Sequence, residues 1–159
     1  MSKLFVTEND EVVIDLYVSE NSSGNTIAWT KDEDRPENVE QVEKYSATFR
    51  QPNYKDTVEL LDIATRTDVN GDFAVNLGSI RMHRIVMLIK TWDFVDENGA
   101  TVEPTIDFVI SLNPIVAMAL ADGLERGLNL FDDSDEDNLA NAKDFLAKAA
   151  ELSELEDKN

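Results

Sequence analysis

The sequence predicts an α+β domain, and three observations carry that reading. Val12, Ile14, Leu16 and Val18 alternate with Val13, Asp15 and Tyr17, the period of a strand with one buried face. Ile85, Leu88, Ile89 and Trp92 fall at i, i+3, i+4 and i+7, the core stripe of a helix. Asn113-Pro114 pairs a capping residue with a proline suited to a first helical turn. Strand signals occupy about residues 4–50 and helix signals about 53–128. The predicted architecture is a small N-terminal antiparallel β-portion packed on a helical portion. Together they form one domain over residues 1–131, followed over 132–159 by an acidic linker and a C-terminal helix.

The elements follow in order. Residues 4–6 and 12–18 read as strands, separated by a polar turn. Residues 20–25 are a turn, and 26–30 are a third strand. Residues 31–43 are acidic and punctuated by Pro36, so they form a solvated loop or a short exposed helix. A fourth strand over 45–50 ends before Pro52. Asn53 caps a helix reaching Ile63 or Ala64, whose apolar stripe is Val58, Leu60, Leu61 and Ala64. Residues 67–72 turn, and 77–92 form the clearest helix. Asn98-Gly99 marks a tight turn. A short helix covers 105–112, and a longer one runs from Pro114 to about Leu128, its end loosened by Gly123 and Gly127. Asp132, Asp133, Asp135, Glu136 and Asp137 then lead into an Ala-rich helix over 138–155 with a thin apolar face, too weak to stand alone.

Charge is unevenly spread along these elements. The formal net charge is −19, from 33 acids against 14 bases. Residues 1–44 hold 11 acids and 4 bases, and residues 93–159 hold 17 and 4. The middle, 45–92, holds 5 acids and 6 bases and is where the core is expected. Such a chain repels nucleic-acid backbones and anionic membranes and suits a partner with a basic face. The absence of cysteine removes disulfides and thiolate metal sites and fits a reducing cytosol. The N-terminal residues have no signal-peptide pattern. The longest apolar run, 115–121, falls far short of a membrane span of about 18 residues.

Little in the sequence suits catalysis. His83 is the only histidine, and neither a serine-nucleophile motif nor a glycine-rich phosphate loop occurs. His83 reads as a packing residue on the 77–92 helix. Two stretches imitate calcium loops, but their registers fail. Gly99 at position 6 places Phe94 at position 1 and Thr105 at position 12, and Gly71 there places Arg66 at position 1. The chain is expected to be a non-enzyme without cofactor or metal. Two readings stand for Arg81 and Arg84: ion pairing with the acidic flanks, or a contact patch for an acidic partner or a second copy. Trp92 is expected in the core, and Trp29, beside acidic turns, is expected to be exposed and adhesive.

Residues 44–128 also carry a resemblance. Tyr45-Ser46-Ala47-Thr48-Phe49-Arg50-Gln51-Pro52-Asn53-Tyr54 resembles the aromatic-x-(Val/Ala)-Thr-Phe-Arg-x-Pro-(Thr/Asn)-aromatic opening of phage tail assembly chaperones. Trp92-Asp93, the 96–99 turn, Thr105 and Leu112-Asn113-Pro114 continue that pattern in order. The resemblance implies a non-enzymatic role in virion assembly in the host cytoplasm, binding the tape measure protein and recruiting tail tube subunits. A soluble acidic holder would shield the apolar stripe of a tape measure helix. Phe145, Leu146 and Leu152 in the tail are then candidate partner contacts, beside Arg81, Arg84 and Trp29, and self-association is a further option. The alternatives are a structural virion protein (neck, connector or capsid-associated) and an acidic inhibitor that mimics DNA.

Overall fold

The computed structural model describes residues 4, 6, 7, 9–67 and 70–130, with Arg66, Thr67 and Phe73 described by their backbone. Residues 1–128 form one compact unit, and a second unit begins at Asn129. Four strands build an antiparallel sheet: β1 (Glu11–Glu20), β2 (Thr26–Trp29), β3 (Glu43–Arg50) and β6 (Ile89–Trp92), in the spatial order β2-β1-β3-β6. A separate ribbon pairs β4 (Thr65–Thr67) with β5 (Phe73–Val75). Among the described residues four α-helices, α1 (Tyr54–Ala64), α2 (Leu77–Leu88), α3 (Ile106–Ser111) and α4 (Pro114–Gly127), and one exposed 3-10 turn at Asp32–Asp34 complete the fold. The α+β class is therefore as the sequence predicts.

The alternation in β1 sets the two faces of the sheet. Ile14 and Leu16 are buried, with Val12 and Val18 packed beside them, while Val13 on the opposite face is exposed. The register places Ile14 opposite Ala47 and Val12 opposite Phe49, so β3 adds its own buried pair to the same face. Helix α4 packs on β1 and β2, and α2 packs on β3, α3, α4 and α1. The core includes Ile85 and Leu88 from α2, Val109 from α3, and Leu120, Leu124 and Leu128 from the chain beyond the near-neutral middle. The core is thus drawn from all three charge segments rather than from residues 45–92 alone.

Local chemistry explains the element ends. Asn53 caps α1 in a full capping box: its side chain accepts from the Asp56 N–H while Asp56 accepts from the Asn53 N–H. Asn76 caps α2, Thr105 caps α3, and Asn113 with Pro114 opens α4. The turn at 96–99 forms as expected. The Asp96 carboxylate accepts from the Asn98 and Ala100 N–H groups at 2.8 and 2.9 Å, and Gly99 takes the left-handed φ of 77° that the turn requires. Those N–H groups, Ala100 first, hold the Asp96 carboxyl below its ordinary value.

Several expectations are corrected. Leu4 and Val6 are not in a strand: Leu4 lies in a turn, and just beyond them the Asp10 carboxylate accepts from the Thr7 N–H at 2.8 Å. Helix α2 ends at Leu88, and Ile89–Trp92 is a sheet strand. Ile89 faces Phe49, Thr91 faces Thr48 and Trp92 faces Ala47, so the register slips by one residue at Lys90. That bulge lets Ile89 and Trp92, three residues apart, both reach the core face, which imitates helical spacing. In α1, Leu60 and Ala64 point inward, whereas Val58 and Leu61 are exposed. Gly123 and Gly127 do not loosen α4. A Cβ at Gly123 would lie 2.9 Å from Thr30 Cγ2, and one at Gly127 would lie 2.5 Å from Val12 Cγ1. The two glycines let the helix backbone rest directly on the sheet.

Candidate functional site

Arg81 and Arg84 lie one turn apart on α2, which directs both toward α4. Arg81 donates Nε and Nη2 to the two carboxylate oxygens of Glu125, each at 2.9 Å, and Arg84 donates Nη1 to Glu125 at 3.1 Å. Asp122, one turn earlier on α4, also pairs with Arg81. The Glu125 bonds foremost hold the Arg81 guanidinium pKa above its ordinary value. Glu125 is only 8% exposed, so this is a partly desolvated clamp between two helices. Of the two readings of these arginines, the geometry realises the ion pairs. Any partner using them would compete with Glu125.

Trp29 is not exposed. It is buried to 4% exposure on the face opposite the helices, because the register pairs it with Tyr17 and the rings stack at 5.8 Å. Ser19, on the same face, donates to the Gln41 carbonyl at 2.5 Å, which draws the loop after β2 across this end of the sheet. The neighbouring Tyr17 ring therefore helps to cover the indole. Trp92 is in the core as expected, its indole N–H donating to the Val102 carbonyl at 2.6 Å. His83 is half-buried, its Nδ1 2.8 Å from the Ser79 carbonyl, a helical packing role as expected. Phe145, Leu146 and Leu152 lie outside the described residues. Among the described residues no group of three or more metal-ligating side chains gathers. No helix there is long and apolar enough to cross a membrane.

Two apolar surfaces are left open instead. The first is on α1, where Tyr54, Val58 and Leu61 recur at i, i+4 and i+7 and are all exposed, Tyr54 to 85%. Thr65, one turn after Leu61, is the strand partner of exposed Val75, and exposed Leu77 follows at the start of α2. Glu59 and Asp62 stand on α1 beside the stripe. Helical spacing alone identifies this stripe, because Tyr54-x3-Val58-x2-Leu61 is legible beside the buried Leu60-x3-Ala64.

The second surface is a pocket of about 210 Å³ where the α3–α4 corner leaves the end of the sheet uncovered. Leu16 and Tyr45 line it from the sheet, and Phe94, Phe108, Leu112 and Val116 from the chain that follows β6. The rings brace one another: Tyr45 meets Phe94 edge-on at 5.4 Å, and Trp92 stacks on Phe94 at 4.6 Å and meets Phe108 at 5.4 Å. Exposed Glu43 also lines the pocket, and Tyr45 donates its hydroxyl to Glu43 at 2.7 Å. That bond, with burial, raises the Tyr45 phenol above its ordinary pKa. The pocket escapes sequence reading because its walls come from positions as distant as Leu16 and Val116.

The fold and these surfaces define an acidic α+β domain with open apolar contact faces. Compared with protein-family models, curated proteins and solved structures, the chain matches none.

Proposed function

We propose that this protein is a non-enzymatic assembly chaperone of a tailed phage, acting in the host cytoplasm by holding an amphipathic helix of the tape measure protein while tail tube subunits assemble. The observation that carries the reading is the unpartnered stripe Tyr54-Val58-Leu61 of α1, with Val75 and Leu77 exposed nearby, on a chain of net charge −19. Large apolar side chains held in water by a strongly charged domain suit transient cover of another apolar face. Glu59 and Asp62 beside the stripe select a helix with basic flanks and steer its approach. The sequence resemblance over residues 44–128 supplies the tail-assembly context.

The test is co-expression with the tape measure protein encoded by the same phage. The wild-type chain should raise the soluble fraction of the tape measure protein and co-purify with it. The double variant Val58→Ser/Leu61→Ser should lose both effects while melting as wild type. Unchanged tape measure solubility with wild-type protein would sink the proposal. Stoichiometric copies in purified virions would favour the structural-protein alternative.

A further inference from the structure

We propose that the pocket at the α3–α4 corner is a second binding site, an anchor for a peptide segment that inserts one large apolar side chain and sets a Lys or Arg against Glu43. At about 210 Å³ the pocket is smaller than typical cofactor sites, so it suits a single side chain rather than a small-molecule ligand. Its aromatic lining is braced by the ring contacts of Tyr45, Trp92, Phe94 and Phe108, so little order has to be imposed when a side chain enters. A preformed apolar pocket of this kind is where binding energy concentrates at protein interfaces.

Glu43 supplies the charge preference. Several acids of the unit have cationic partners: Asp15 has Lys44, Asp56 has Arg50, Glu11 has Lys90, and Glu125 has Arg81 and Arg84; Glu43 differs by its place at the pocket. Among the described residues no Lys or Arg pairs with Glu43. Its carboxylate is instead oriented by the Tyr45 hydroxyl at the pocket. An exposed, oriented carboxylate beside an apolar pocket complements an apolar residue flanked by a cation. A second copy of this chain, itself at −19, is a poor occupant. The inference depends on the pocket alone and does not need the tail-assembly reading.

The probe is a fluorescein-labelled amphipathic peptide of about 18 residues, long enough to hold a helix, with a Leu face and a Lys polar face. A counterpart carries Glu on the polar face. Binding is followed by anisotropy in about 0.15 M salt, where distant charges are screened. The Lys peptide should bind and the Glu peptide should not. Val116→Phe fills the pocket, and Val95→Trp occludes it from an exposed wall position; each should weaken binding about tenfold or more with an unchanged melt. Glu43→Gln should weaken it roughly fivefold, whereas Glu37→Gln, with the same charge change on the exposed loop after β2, should not. Wild-type affinity in both Val116→Phe and Val95→Trp overturns the pocket as the anchor. Equal loss from Glu37→Gln and Glu43→Gln overturns the role of Glu43. Should Val58→Ser/Leu61→Ser alone abolish binding, the pocket proposal falls while the α1 surface stands.

Discussion

Replacing Gly127 with Ala is expected to destabilise the protein, against the usual direction of a Gly→Ala change in a helix. The new Cβ would lie 2.5 Å from Val12 Cγ1 and 3.1 Å from Ile14 Cδ1. Carbon pairs prefer about 3.5–4.0 Å, so Val12 has to retreat by roughly 1 Å. Its branched side chain has few rotamers, and its backbone is locked in β1 opposite Phe49. Overpacking of this kind costs about 1–3 kcal/mol. Helix propensity returns at most about 1 kcal/mol, and less at the last residue of α4. The net expectation is a loss of about 1–2 kcal/mol, read as a lower urea midpoint from the fluorescence of buried Trp29 and Trp92. In a Val12→Ala background the obstructing methyl is gone, so the same change should be neutral or stabilising. The two sites should then couple by about 1–2 kcal/mol in a double-mutant cycle. An equal effect in both backgrounds, or stabilisation by Gly127→Ala alone, would refute close helix–sheet contact as the reason for the glycine.

Three further outcomes are expected. Asp56 is held below its ordinary pKa, chiefly by Arg50, and contributes stability that is complete above about pH 4 and is lost as pH falls through its lowered folded-state value; Asp56→Asn should cost about 2–3 kcal/mol at neutral pH and flatten the acid limb of urea midpoint against pH. Glu125→Gln strips the shared carboxylate from Arg81 and Arg84 and should cost about 2 kcal/mol in chemical unfolding, whereas Asp122→Asn, at the more exposed partner, should cost under about 1 kcal/mol. Deleting residues 132–159 should preserve the cooperative melt, because the core cluster of the described residues is drawn from positions up to Leu128; loss of cooperativity would make the tail part of that core.

The legible parts of this fold are those specified by neighbouring residues. The faces of β1, the Asn53 and Asn113 caps and the Asn98-Gly99 turn all depend on chemistry within about four positions. The illegible parts depend on pairing across the chain. Ile89 and Trp92 carry helical spacing, and only a bulge against β3 shows why a strand uses it. Gly123 and Gly127 look like helix weaknesses until β1 and Thr30 are seen beneath them. Trp29 looks exposed until its partner is known to be Tyr17. The α1 stripe was present in the sequence as a second helical period, merged there with the buried one. The pocket was not legible, since no local pattern connects Leu16, Glu43, Phe94 and Val116.

The charge imbalance takes its meaning from the ion pairs. Arg50 and Lys55 pair inside residues 45–92, with Asp56 and Glu59, but three bases of that stretch reach outside it. Arg81 and Arg84 reach forward to acids of α4, and Lys90 reaches back to Glu11. Outside that stretch, Asp34 pairs with Arg126 and Asp15 with Lys44. Apart from the two pairs inside 45–92, each contact ties segments distant in sequence, so Lys44, Arg81, Arg84, Lys90 and Arg126 are committed to holding the fold. Acids such as Glu43, Glu59 and Asp62 occur where apolar surface is open. Glu59 has a weak surface pair with Lys55, and Glu43 has no cationic partner among the described residues. A partner bringing both an apolar stripe and positive charge therefore satisfies two deficits at once, and one lacking either component has to leave apolar surface or negative charge uncompensated.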